Sequence, residues 1–283
     1  MPRSVHARLA PSPPPGPADS CLAASREGWT GGTLVAPLAK GLAVLAAFDS
    51  QRIWLRNHDI VRATGLPAAT VSRLLHSLAA LGYLRLDATR RRFRLAAASL
   101  TLGYAAIDDA AVQSATRGEM QKLADAHEAC LVLGTRDRLD VVVLEARAAH
   151  AVPFDLRLRP GMRQSIGASA MGWALLTAVP EAERSYLQEN MERRSACHWP
   201  ALRRAMAEGV SQVSTTGFCV ARGEWCPDLV SVAVPVRTPD RQPLALACVG
   251  HAAQVGRARI TNEIGPRLVN AALALQERLG MCA

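Results

Sequence analysis

The heptapeptide TGLPAAT, Thr64 to Thr70, constrains the fold more than any other stretch of this chain. Gly65 offers a left-handed backbone position that ends a helix, and Pro67 suits the first turn of another. One helix must stop and a second must start within a few residues, which is the spacing of a helix-turn-helix. In the second helix Val71, Leu74, Leu75, Leu78 and Leu81 share one face. Ala69, Thr70, Ser72, Arg73, His76 and Ser77 then point outward or lie beside that outward face. Gly82 stops the helix, and YLRL and RFRL alternate apolar and basic residues on either side of DATRR, the pattern of a two-stranded ribbon. Upstream, Val35, Leu38, Leu42, Leu45 and Phe48 recur at helical spacing, and Asn57 to Thr64 forms a short helix before the turn. Three helices and a hairpin make a winged helix.

Charge says what such a unit meets. The chain carries 33 basic and 24 acidic residues, for a formal charge of +9. From Val35 to Ala96 there are ten basic residues against three acidic ones, and no Asp or Glu occurs between Asp59 and Asp87. A helix can enter the major groove only if its exposed face offers donors and small side chains without carboxylates to repel phosphate. Arg90, Arg91 and Arg92 at the ribbon tip are expected to reach the flanking backbone or minor groove. The partner expected from these residues is double-stranded DNA.

The stretch AKGLAVLAAFD, then TGLPAATVSRLLHSLAALGYL, then the wing and the closing RLAAASLTLGY resemble the DNA-binding domain of the IclR family of bacterial transcriptional regulators. The resemblance extends over nearly all of residues 35 to 280. Trp54 and Arg56, in SQRIWLRNHD, depart from the plainer lead into the second helix that is usual in the family. The resemblance implies a helical linker that helps pair subunits, a homodimer or tetramer on a palindromic operator, and a C-terminal domain that binds a small effector. It places that effector near Gly167, Ala168, Ser169, Ala170 and Met171, with Cys219, Ser231, Cys248 and Gly250 opposite. An organic or aromatic acid is the expected ligand class, attracted by Arg157, Arg159 or Arg163.

Beyond the wing, the residues themselves predict an α+β domain. ACLVLGT and LDVVVLEAR are β-rich runs around a turn, FDLRLRPG alternates, IGASAMGWALLTAV is helical, SVAVPVRT and PLALACVG flank the turn PDRQ, and Thr261 to Leu279 is a final helix. The fold expected is a winged helix-turn-helix joined by linker helices to a GAF-like α+β domain. Its expected divisions are a disordered proline-rich tail at 1–33, the DNA-binding domain at 34–97, linker helices at 98–127 and the effector domain at 128–283.

Several classes are disfavoured. Seven scattered cysteines without a Cys-x-x-Cys pair argue against a disulfide framework or a zinc ribbon. No run of eighteen apolar residues and no signal-peptide core occur, so a cytoplasmic protein without membrane contact is expected. His127 and Glu128 do not continue into HExxH, because position 131 is Leu, and no nucleophile elbow, Walker loop or dinucleotide fingerprint is present. No catalytic residue, cofactor or metal is therefore expected. The competing readings are an enzyme with a nucleic-acid-binding appendage and a protein that holds DNA by charge alone.

Overall fold

The computed structural model describes residues 35–48, 52–107, 110–150, 158–237 and 242–280, with the backbone alone at 103–107 and 110–115. The tail at 1–33, most of the strand expected from Phe154, Arg157 and most of the turn at 239–242 lie outside the described residues. The described chain divides into two compact units, one ending at Ile107 and the other beginning at Ala110.

In the smaller unit α1 (Ala36–Ala46), α2 (Asn57–Thr64) and α3 (Ala68–Ala80) precede the strands β1 (Leu84–Asp87) and β2 (Arg92–Leu95), and α4 (Ala97–Ile107) follows. Gly65 has φ +66°, and its N–H donates to the Val61 carbonyl at 2.8 Å, closing α2. The Thr64 hydroxyl donates to the Ile60 carbonyl at 2.7 Å and accepts from the Leu66 N–H at 3.3 Å, so the turn is tied on both sides. β1 and β2 pair antiparallel, and Leu55 adds a bridge to Phe93 that extends the ribbon by one residue. The core joins Val44, Phe48, Leu55, Ile60, Val71, Leu75 and Phe93. α1 differs from the expectation. Val35, Leu38 and Leu42 are exposed, and Ala43, Val44 and Ala47 are the buried residues, because α2 and α3 pack on the flank that carries the small side chains.

The larger unit is one antiparallel sheet in the order β5-β4-β3-β8-β7-β6. Its strands are β3 (Cys130–Asp137), β4 (Asp140–Ala148), β5 (Arg163–Ser165), β6 (Cys219–Arg222), β7 (Leu229–Val236) and β8 (Leu244–His251). Apolar side chains stand on both faces, so each face carries its own core. On one face lie α6 (Ala170–Leu176), α7 (Glu181–Arg194) and α8 (Trp199–Thr216), with Met171, Trp173, Leu187, Met206 and Cys219 among the buried residues. On the other lie α5 (Ala110–His127) and α9 (Gly265–Gly280), with Met120, Ala124, Leu131, Val232 and Leu268. Each such Leu or Met, once fully buried, contributes about 1.5 to 3 kcal/mol. The final helix covers the expected stretch and begins earlier, at Arg257, with Ile260–Ile264 as a π-helical turn that leads into α9.

Candidate nucleic-acid interface and candidate effector site

Along α3, Val71 and Leu75 are buried, whereas Ala69, Arg73, His76 and Ser77 are exposed and Thr70 and Ser72 are half-buried. Residues 69, 73 and 76 are spaced to share a stripe, with Ser77 beside it. His76 does not stand alone, for its ring meets Phe93 edge-on, 6.4 Å between centroids, and ties the helix to the wing. The wing arginines divide into two kinds. Arg90 and Arg91 are exposed in the turn, and Arg91 has φ +46°. Arg92 is drawn back: its Nε donates to Asp87 at 3.0 Å, and its guanidinium lies 4.4 Å from the centre of the Trp54 ring. Asp87 also accepts from the Arg90 N–H at 3.1 Å, and that bond, ahead of Arg92, holds its carboxyl below the usual range.

In the larger unit a 3₁₀ turn at Ile166–Ala168 leads into α6. Ser169 is almost wholly buried, and its hydroxyl is fully engaged, donating to the Ser165 carbonyl at 2.9 Å and accepting from the Gly172 N–H at 3.1 Å. Ser169 therefore caps the helix. Gly167 gives its carbonyl to the Trp173 indole at 2.9 Å, and Ala168 is exposed. Met171 is buried against the sheet, and Cys219 offers its thiol to the Ala170 carbonyl at 3.2 Å, with burial pushing that thiol far above its usual pKa.

Ser231 lies on the same face, fully buried, between Ala221 and Val249 in the strand register. The fold does not bring Cys248 and Gly250 to this group. Both sit on the opposite face, Cys248 within the α9 core and Gly250 where a side chain would come within 2.6 Å of Val255. The residues that belong with Ser231 by register are Ala247 and Val249. Arg163 is likewise spent, paired with Asp137 at 2.7 Å and Asp140 at 3.3 Å.

Glu224, in the loop between β6 and β7, is the residue that pattern reasoning missed. The Ala170 N–H donates to its Oε2 at 2.7 Å, whereas its Oε1 is inaccessible to solvent and has no partner. The Trp225 Nε1 and the Ser231 Oγ are equally buried and face the same carboxyl without closing a well-formed hydrogen bond. Burial pushes the Glu224 carboxyl up to about 7, against the opposing pull of Ser231, the Ala170 N–H and Trp225. One acid, one indole and one hydroxyl thus converge on the α6 face of the sheet with no well-formed hydrogen bond among them. A separate cleft of about 120 Å³, between α5 and α9 and lined by Met120, Leu123, Leu246 and Leu275, lies on the other face and contains none of these groups.

The profile of the IclR helix-turn-helix domain matches residues 37–88, and that of the bacterial transcriptional regulator IclR C-terminal domain matches residues 104–277. The chain belongs to the IclR family. It is a DNA-binding transcriptional regulator with a C-terminal effector domain. An HTH-type transcriptional regulator of Comamonas testosteroni, TsaQ1/TsaQ2, is 30% identical over 86% of this chain and 87% of its own length. The crystal structure of an IclR-family transcriptional regulator from Brucella abortus superposes with a TM-score of 0.75 at 34% identity, covering 87% of this chain and 92% of that one. An IclR homologue from Microbacterium hydrocarbonoxydans, solved as a complex with 4-hydroxybenzoate, shares the fold at 22% identity and a TM-score of 0.63, covering 86% of this chain and 98% of its own. In this IclR-family chain the matched helix-turn-helix contains α3, and the matched C-terminal domain contains the Glu224 cluster.

Proposed function

We propose that this regulator reads a palindromic operator as a homodimer or a higher assembly in the cytoplasm, and that a small organic or aromatic acid entering beside Glu224 changes its hold on DNA. α3 supplies the base-reading stripe of Ala69, Arg73 and His76, flanked by Thr70, Ser72 and Ser77, and Arg90 and Arg91 supply phosphate contacts. The C-terminal domain acts as a sensor and not as a catalyst, a reading supported by the regulators it resembles. Among the described residues no helix is long and apolar enough to cross a membrane.

One observation carries the effector site: three buried polar atoms, Glu224 Oε1, Trp225 Nε1 and Ser231 Oγ, converge with no well-formed hydrogen bond among them. A buried polar group that makes no hydrogen bond costs about 1 to 3 kcal/mol, so a ligand offering both a donor and an acceptor gains by filling all three. A hydroxylated aromatic acid has both, and the Microbacterium homologue holds one. Gly167, Ser169, Ala170, Met171 and Cys219 form the frame behind the ligand. The test is a thermal-shift screen of benzoate-class acids, with 4-hydroxybenzoate among them, followed by operator titrations with the best hit. Ser231→Ala removes the hydroxyl with little change in volume. It is expected to weaken that hit about tenfold while leaving ligand-free operator binding within about twofold. A variant that responds as the wild type does overturns the site, and a monomer at micromolar concentration on and off DNA overturns the assembly.

The raised Glu224 acid has its own signature. Between its usual 4.5 and about 7 the folded chain holds a proton that the unfolded chain has released. The unfolded state binds fewer protons in that window, so this group's contribution to stability falls as pH rises from 4.5 to 7 and stays lost above it. Glu224→Gln is expected to remove that fall, raising the melting temperature relative to wild type at pH 8 but not at pH 4.5. Equal pH profiles for the two proteins would show that Glu224 ionises as an exposed acid does.

A further inference from the structure

We propose that the solvent face of the wing sheet, built on Trp54 and carrying Arg85 and Arg94, is a second phosphate-binding surface that grips duplex DNA beside the site read by α3. The proposal rests on the DNA-binding reading and adds residues that the wing tip does not include.

Strand register decides the face. Arg85 lies directly opposite Arg94, and Asp87 opposite Arg92. Leu55 bridges Phe93, so its neighbours Trp54 and Arg56 join the Arg92 and Arg94 side of the sheet, away from the Phe93 core. Among the described residues of the ribbon that face therefore holds four guanidiniums and one carboxylate, and the carboxylate is already taken by Arg92 and the Arg90 N–H. Neither Arg85 nor Arg94 has a carboxylate partner among the described residues. Like charges directly opposed across a ribbon destabilise it, so the free protein carries an unfavourable pairing that an anion would relieve.

Trp54 makes the surface specific to phosphate. The Arg92 and Arg94 guanidiniums lie 4.4 and 5.2 Å from its ring centre, which fixes two long side chains that would otherwise lose rotamer freedom on binding. Two guanidiniums already stack on the ring, so an unpaired base competes with them there and a single-stranded partner gains little from it. What remains is a row of ordered cations with free N–H donors, matched to the phosphodiesters of a duplex.

The test uses the full-length protein and a mixed-sequence duplex of about 25 base pairs, titrated by anisotropy between 50 and 200 mM salt, where each lost phosphate contact lowers the salt slope by about 0.9. The Arg85→Gln/Arg94→Gln variant is expected to bind roughly tenfold more weakly, with a slope smaller by about 1.8. Arg203→Gln/Arg204→Gln, which removes two exposed arginines of α8, is expected to leave both unchanged. Trp54→Ala should weaken binding without any loss of charge, and Trp54→Phe should restore most of it. An unaltered slope in the Arg85/Arg94 variant, or an equal drop in the Arg203/Arg204 variant, overturns the proposal. A wild type that binds no duplex at all would overturn this proposal and the DNA-binding reading together.

Discussion

Replacing Arg73 by alanine is expected to cost about 1 to 3 kcal/mol of operator affinity while leaving the fold intact. Arg73 is exposed on α3, and among the described residues no ion pair or hydrogen bond ties it to the rest of the unit, so its removal leaves no buried partner behind. Its stripe is free of acids, and an arginine there can meet a guanine edge with two donors. The experiment selects bound sequences from random DNA to find the operator, then compares wild type and Arg73→Ala on that operator and on scrambled duplex. Loss confined to the operator supports base reading. An equal loss on both would demote Arg73 to a backbone contact, the behaviour expected of Arg90 and Arg91.

Gly172→Ala is expected to be the most damaging single methyl in the sensor, costing about 3 kcal/mol or more. A Cβ at Gly172 would lie 2.1 Å from the Ile166 carbonyl oxygen and 2.4 Å from its Cα. Both obstacles are backbone, held in the 3₁₀ turn by the Ser169 cap, and neither can rotate aside. Gly250→Ala offers the comparison, because its obstacle at 2.6 Å is a Val255 methyl that can adjust, so a smaller loss is expected there. Scanning calorimetry of the full chain reads both, and in each variant the DNA-binding unit should retain its own affinity for duplex. A Gly172→Ala protein that melts with the wild type would mean that the turn at Ile166 yields.

The DNA-binding half was legible because its signals are local. Gly65 and Pro67 mark the turn, the α3 stripe repeats at the helical period, and the wing alternates at period two. What sequence could not supply there was the fate of Arg92, which depends on Trp54 reaching the ribbon through the Leu55–Phe93 bridge. In the sensor, residue type misled. Cys248 and Gly250 looked like pocket residues, but Ser231 pairs with Gly250's neighbour Val249, and a one-residue change of parity sends a side chain to the other face. Ser169 lies in this group with both hydrogen bonds of its hydroxyl used in capping α6, which residue type alone does not reveal. Glu224 was invisible because it sits in a loop without period, and its burial is produced by α6, more than fifty positions earlier in the chain.

The two-faced sheet also sets how far a message from the ligand must travel. Ser231 belongs to the face that carries the Glu224 cluster, and its immediate neighbours Val230 and Val232 belong to the core shared with α5, the helix that follows the DNA-binding unit in the chain. The proposed ligand contact and the α5 core thus meet at consecutive residues of one strand. On the proposed reading, a shift of β7 along its normal would displace side chains on both faces at once, so the relay from ligand to α5 would be one peptide thick.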